Sequence, residues 1–139
     1  GNFESLEDGQ ILGEQLITEG ADIIFPVAGP VGYGTAMAAR ERGEVYIIGV
    51  DSDWAVSAPE FEDIVLTSVL KRTDITTYEA IERSLFGEFE GGLAFGMLAN
   101  EGVGLAPFHK LEFLVPDELR VELEEIRNGI IEGAIRTTR

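Results

Sequence analysis

VYIIGVDSD, residues 45–53, is a short apolar run that ends in two carboxylates separated by one serine. β-Branched and aromatic residues at that density, with Gly43 just ahead and a polar turn behind, predict a strand buried on both faces of a parallel sheet. In open α/β sheets ligands bind outside the carboxyl ends of the strands, and Asp51 stands at that end. A carboxylate offers two acceptor oxygens and suits a vicinal diol on a sugar or nucleoside, each charge-assisted hydrogen bond being worth roughly 1.5–3 kcal/mol. Aspartate also caps turns, so Asp51 and Asp53 have a second reading as residues that merely shape the loop after the strand.

Upstream, ADIIFPVA at 21–28 reads as the preceding strand. Pro26 lacks a donor and belongs at that strand's end or at a bulge. Gly29-Pro-Val-Gly-Tyr-Gly34 then leads into TAMAARERG, a small-residue helix closed by Gly43. Strand, glycine turn, helix and strand make a βαβ unit with a right-handed crossover. Glycines let backbone approach a ligand, and a helix N-terminus behind them offers free N–H groups. Asp51 follows Gly29 by 22 residues, the interval of a ribose-binding acid in dinucleotide folds. The glycines nevertheless run G-x-x-G-x-G, the reverse of the fingerprint, and Pro30 removes an amide a pyrophosphate would use. Tight packing through Gly32, Gly34, Ala36 and Ala38 explains the same residues without a dinucleotide.

The 139 residues fit one domain, and 26 acidic against 10 basic residues give a formal charge of −16. That field repels nucleic acid and anionic membrane surfaces, so neither is expected as a partner. Cysteine is absent, which excludes disulfides and thiolate metal sites, and His109 alone cannot build a histidine zinc site or a two-histidine relay. No metal or cofactor is expected. No run approaches the length of a membrane-spanning helix.

Ser5 and Asp8 have the spacing of an N-terminal cap pair for a helix with Leu6, Leu12, Leu16 and Ile17 on its apolar face and Gly20 at its end. After Asp53 come Trp54, a polar loop with Pro59, and a third apolar run, Ile64–Leu70, ending in Lys71-Arg72. Lys71 sits at a strand end and could reach a ligand oxygen, pair with Asp51, or simply be solvated. Asp74 is placed to cap the next helix, whose buried face is predicted at Tyr78, Ile81 and Leu85, with Gly87 as its stop. LAFGMLA at 93–99 reads as a strand, and NEGVGLAP at 100–107 as a turn back. His109 is expected in an exposed loop. Pro116 should open the last helix, with Asp117 and Glu118 complementing its dipole, Leu119, Leu123, Ile126 and Ile130 as its stripe, and Arg136 and Arg139 exposed beyond it. Gly1-Asn2-Phe3 reads as the exit from a strand, so the expectation is a piece of something longer.

GADIIFPVAGPVGYG (20–34), YIIGVDSDW (46–54), VLTSVLKRTDITTYEAI (65–81) and NEGVGLAPF (100–108), with a final helix ending near GIIEGAI, stand in an order that resembles the basic-membrane-protein family. These are the purine-nucleoside-receptor-like solute-binding lipoproteins of bacterial ABC transporters. The likeness covers essentially the whole chain and departs at Pro30, where the family usually carries a second glycine. It implies an α/β fold, a parallel-sheet lobe of a type I periplasmic-binding-protein fold, with the first lobe absent. Residues 1–139 would then be the C-terminal part of a solute-binding protein, and 64–91 a crossover strand-helix segment belonging with the other lobe.

Carried over residue by residue, the resemblance implies that Asp51 holds ribose hydroxyls, Lys71 reaches the ligand from the crossover, and Val27, Ala28 and Gly29 line the base pocket. Asp53 and Trp54 would lie near its mouth. The implied role is capture of a nucleoside-like small-molecule solute for an ABC permease, outside the membrane, on a protein held there by a lipid anchor in the absent N-terminal portion. Assembly with that portion or self-association is expected. No acid/base pair, activated nucleophile or metal cluster can be named, so the chain reads as a binding protein and not an enzyme. A nucleoside- or nucleotide-using α/β enzyme and the ligand-sensing domain of a regulator are the alternatives.

Overall fold

The structure is a computed structural model and describes residues 3–137. It divides into two compact units: one holds the chain up to Leu70 together with Leu105–Leu114, the other Lys71–Gly104 and the chain from Val115 onward. Gly1, Asn2 and Arg139, on which sequence expectations fell, lie outside the described residues.

In the first unit, Ser5 caps helix α1 (Leu6–Thr18) by accepting a bond from the Asp8 amide at 3.2 Å. Strand β1 is only Ile23–Ile24. The longer strand predicted at 21–28 fails because Val27 N–H donates to Phe25 O at 3.0 Å and Ala28 N–H to Pro26 O at 2.8 Å. Two such i to i+2 bonds around Pro26 turn the chain away from the sheet. Helix α2 (Val31–Arg42) starts earlier than predicted, directly after Pro30, so Gly32 and Gly34 are helical and not part of a turn. Proline's fixed φ favours helix initiation, and here Pro30 is the N-cap at φ −54°.

Small residues of α2 do pack tightly, but Gly34 faces α1 rather than the sheet. A Cβ there would collide with the Leu6 carbonyl oxygen and lie 2.8 Å from the Gln10 amide nitrogen. The close approach lets Thr35 donate its hydroxyl to the Gly9 carbonyl at 3.0 Å.

Strand β2 (Tyr46–Asp51) lies parallel between β1 and β3 (Val65–Lys71), with Ile24 beside Ile47, Ile48 beside Thr67 and Asp51 beside Leu70. Sheet order is β1-β2-β3-β4, where β4 is Val103–Leu105. Just past β4, the Ala106 amide donates to Ser68 O at 2.8 Å, and the Thr67 hydroxyl to Ala106 O at 2.7 Å. β2 is not enclosed on both faces as predicted: Ile47 and Gly49 are buried, while Tyr46, Ile48 and Val50 are half-buried. The core lies on one side, where Ile24, Ala36, Ala39, Ile47, Trp54, Phe61 and Val65 meet.

The second unit holds helices α4 (Thr73–Leu85) and α5 (Asp117–Ile131). Between β2 and β3 lies the short helix α3 (Trp54–Ser57), which belongs to the first unit. Asp74 does not cap α4. It sits inside the first turn, where both carboxylate oxygens accept from Arg72 at 3.1 and 3.2 Å. The helical periodicity of Tyr78, Ile81 and Leu85 is right but their burial is not, Leu85 being 79% exposed. In α5 the stripe is likewise open, with Leu119 and Ile126 exposed and Leu123 and Ile130 half-buried. Arg136 is exposed.

LAFGMLA forms no strand. Asn100 takes the Met97 amide at 2.7 Å and the Gly102 amide at 3.2 Å on its side-chain oxygen, and donates to Phe95 O at 3.0 Å. A side chain that binds nearby backbone groups offers them an alternative to sheet pairing.

Candidate functional site

The loop after β1, the first turn of α2 and the end of β2 converge on a cavity of about 180 Å³. It is lined by Ala28, Gly29, Pro30, Tyr33, Val50, Asp51, Ser52 and Trp54. All belong to the first unit. The convergence follows from parallel pairing, which aligns the carboxyl ends of β1 and β2 so that the loop leaving each opens on the same edge.

Asp51 is exposed and adopts φ +67°, a left-handed conformation uncommon outside glycine. The amide of Ser52 donates to Val50 O at 2.8 Å, closing a γ-turn about Asp51. With positive φ at its centre this is the rare, strained form of that turn. Strained residues cluster at ligand clamps and active sites, and the strain persists only where surrounding structure imposes it.

That surrounding structure begins with Trp54, whose indole N–H donates to the same Val50 oxygen at 3.0 Å. The side chain is buried to 3% exposure, the Trp54 amide donates to Ser68 Oγ at 3.1 Å, and its ring meets Tyr33 at 4.6 Å between centroids. Tyr33 in turn stacks on Phe61, over which Arg40 lies at 5.0 Å. Trp54 thus lines the cavity with a buried side chain.

Asp53 is the N-cap of α3: its Oδ1 accepts from the Ala55 amide at 3.1 Å, and its Oδ2 lies 2.7 Å from Nε2 of His109. His109 is therefore not the exposed loop residue predicted. It is half-buried, in a 3-10 helix spanning His109–Leu114, and its aspartate partner takes up its Nε2. Next to it Lys110 meets Glu62 at 2.6 Å, and the glutamate holds the ammonium pKa above its usual value.

Of the residues singled out in the sequence, Ala28, Gly29, Asp51 and Trp54 line the cavity together. Asp53 is adjacent in sequence but engaged with α3 and His109. Val27 is 68% exposed and outside the lining. Lys71, the exposed last residue of β3, falls in the second unit.

Sequence reasoning missed Pro30, Tyr33, Val50 and Ser52 as lining residues, and Phe3, whose carbonyl accepts from the Val31 amide at 3.0 Å and sits against Gly29. Gly49 was a usable signal, since an isolated glycine within a strand marks close approach. A Cβ there would strike Ser68 Oγ and come within 2.7 Å of Trp54 Cγ. Among the described residues, no three His, Cys, Asp or Glu side chains gather as a metal site, and no helix is long and apolar enough to cross a membrane.

The model of the Bmp family, described as ABC transporter substrate-binding protein PnrA-like, matches residues 1–136. The chain belongs to this family. It is 33% identical to basic membrane protein A1 of Borrelia garinii subsp. bavariensis over 97% of its length and 39% of that protein's. Among solved structures, an ABC transporter solute-binding protein from Aeropyrum pernix K1 superposes with TM-score 0.84 at 23% identity, over 99% of this chain and 46% of that one. A transcriptional activator of the comK gene from Bacillus halodurans gives the same TM-score at 21% identity, over 99% of this chain and 46% of that one. Those two likenesses establish the α/β fold with its parallel sheet. The Bmp-family chain spans about two-fifths of the length of the curated relatives it matches.

Proposed function

We propose that this chain forms one wall of the solute site of an ABC-importer binding protein, and that the solute is a nucleoside or a similar polyol-bearing molecule. The observation that carries the reading is the strained turn that holds Asp51 at an open cavity beside Ala28 and Gly29. A carboxylate there can accept both hydroxyls of a vicinal diol. The aromatic lining, Tyr33 and Trp54, suits a flat ring or the apolar face of a sugar.

The cavity's volume of about 180 Å³ is below the roughly 300–1,000 Å³ of complete small-molecule pockets. It accommodates a sugar-sized part of a solute, and the remaining contacts come from other groups. Lys71, at the end of β3, is proposed as one such contact, and Val27, beside Ala28, as part of the pocket rim. Delivery to an ABC permease outside the membrane, from a lipid-anchored protein, is the family role proposed for the whole protein.

Calorimetry of the intact protein against adenosine, guanosine, cytidine and uridine tests the site. Asp51→Ala should cost about 2–5 kcal/mol of binding, the range for losing a charged hydrogen bond that the bound solute buries. Affinity indifferent to that change removes Asp51 from the site. A sensor role in a regulator is the second reading, supported by the fold shared with the Bacillus halodurans activator. Turnover of a bound nucleoside would instead favour an enzyme.

A further inference from the structure

We infer that Trp54 is a positioning residue that holds Asp51 in its left-handed turn, and that selectivity for paired hydroxyls depends on this hold. The inference rests on the reading of Asp51 as a ligand contact. It starts from one oxygen. The Val50 carbonyl accepts the Ser52 amide at 2.8 Å and the Trp54 indole N–H at 3.0 Å. Rotation about the Asp51 N–Cα bond, the φ angle, turns the 50–51 peptide plane against the rest of Asp51, so a carbonyl pinned by two donors restrains that angle.

Without the indole donor, the Val50 carbonyl keeps the Ser52 amide and loses its second donor, which loosens the hold on an L-residue at φ +67°. Relaxation would swing the carboxylate away from the cavity.

The indole is itself immobilised, as a positioning group must be. Its Cγ approaches the bare Cα of Gly49, Tyr33 covers its face, and its own amide is tied to Ser68. The start of α3 is held by Asp53, which caps the helix and meets His109.

Two oxygens grip two adjacent hydroxyls only at a fixed orientation, whereas one hydroxyl tolerates a carboxylate that wobbles. A loosened Asp51 therefore penalises a ribonucleoside more than its 2′-deoxy counterpart.

The test compares the intact protein with Trp54→Phe, Asp51→Ala and the double variant, titrated with adenosine, guanosine, cytidine, uridine and their 2′-deoxy forms. Trp54→Phe should weaken the best ribonucleoside about tenfold, the upper range for one neutral hydrogen bond. It should weaken the 2′-deoxy form markedly less, and its extra cost to the ribonucleoside should vanish in the Asp51→Ala background. Replacing Trp54 by benzothienylalanine, which keeps the ring shape and loses the N–H, guards against a packing defect in the phenylalanine variant.

Amide hydrogen exchange at Ser52 gives a readout independent of any ligand and should quicken in both Trp54 variants. Equal losses for both forms of a nucleoside, the same loss without the Asp51 carboxylate, or unaltered Ser52 exchange would each overturn the inference. Faster Ser52 exchange with nucleoside affinity indifferent to Asp51→Ala would sink the nucleoside reading and leave the tie between Trp54 and the turn standing.

Discussion

Asp53 and His109, 56 residues apart in sequence, meet at 2.7 Å between carboxylate Oδ2 and imidazole Nε2. The contact fastens the 3-10 segment beyond β4 to the start of α3, while the other carboxylate oxygen caps that helix. One side chain thus satisfies an orphan helix amide and closes a long-range link. Asp53→Ala should lower stability by about 1–2 kcal/mol, since a lost N-cap and a lost side-chain hydrogen bond each contribute around 1 kcal/mol. Urea unfolding measures it, and the imidazole resonances of His109 should shift in the same variant. A variant of unchanged stability would mean that the pair is incidental.

Asp51→Gly should stabilise the protein while weakening solute binding. A non-glycine residue held in the left-handed region costs on the order of 1–3 kcal/mol, and glycine adopts that region freely. Its greater freedom in the unfolded chain offsets part of the gain, leaving a net increase of roughly 0.5–1.5 kcal/mol. Thermal unfolding reads the sign. A destabilised glycine variant would show that the Asp51 side chain contributes more to the fold than its backbone costs.

Gly49→Ala should be destabilising by about 1–3 kcal/mol, the range for forcing extra atoms into a packed core. The new methyl would meet Ser68 Oγ and Trp54 Cγ together, so neither neighbour can yield without moving the other. Fluorescence of Trp54 should shift to the red as its ring is pushed from a site that is 3% exposed. Unchanged emission and stability would disprove the close approach.

Asp74 gives a pH dependence whose sign is set by Arg72. The guanidinium bonded to it holds its carboxyl below the usual value of 3.8, with the bond itself the leading cause. A group whose pKa is lowered on folding stabilises the native state above the unfolded value, and that contribution disappears as pH falls through the folded value. Loss should therefore be confined to pH below about 3.8. Because the Asp74 side chain is exposed and its Arg72 partner partly so, salt should screen the pair. Titration of Asp74 by NMR at low and high ionic strength checks both statements, and a carboxyl that titrates above 3.8 would contradict the first.

Much of this architecture is legible in the chain. The caps at Ser5 and Gly43, the helical periodicities, the parallel strands at 46–51 and 65–71, and the acid at the end of β2 are local properties of spacing and side-chain type. Local chemistry misled where competing local chemistry was available. Asn100 bound the backbone that LAFGMLA would have offered to a sheet, and Pro26 ended β1 by turning the chain on itself. Burial was the weaker inference, because the periodicity of Tyr78, Ile81 and Leu85 states which residues share a face and not whether anything covers it.

By itself the sequence determined the α/β class, the order of the strands and longer helices as far as α4, and the placing of a carboxylate at a strand terminus, since each depends on neighbours along the chain. Only the tertiary structure decided that Asp51 is strained, that Trp54 and Ser52 donate to one oxygen, and that His109 belongs to Asp53. Those relations arise from donors and acceptors brought within about 3 Å by packing. No spacing rule encodes which of several reachable partners a buried polar group will take.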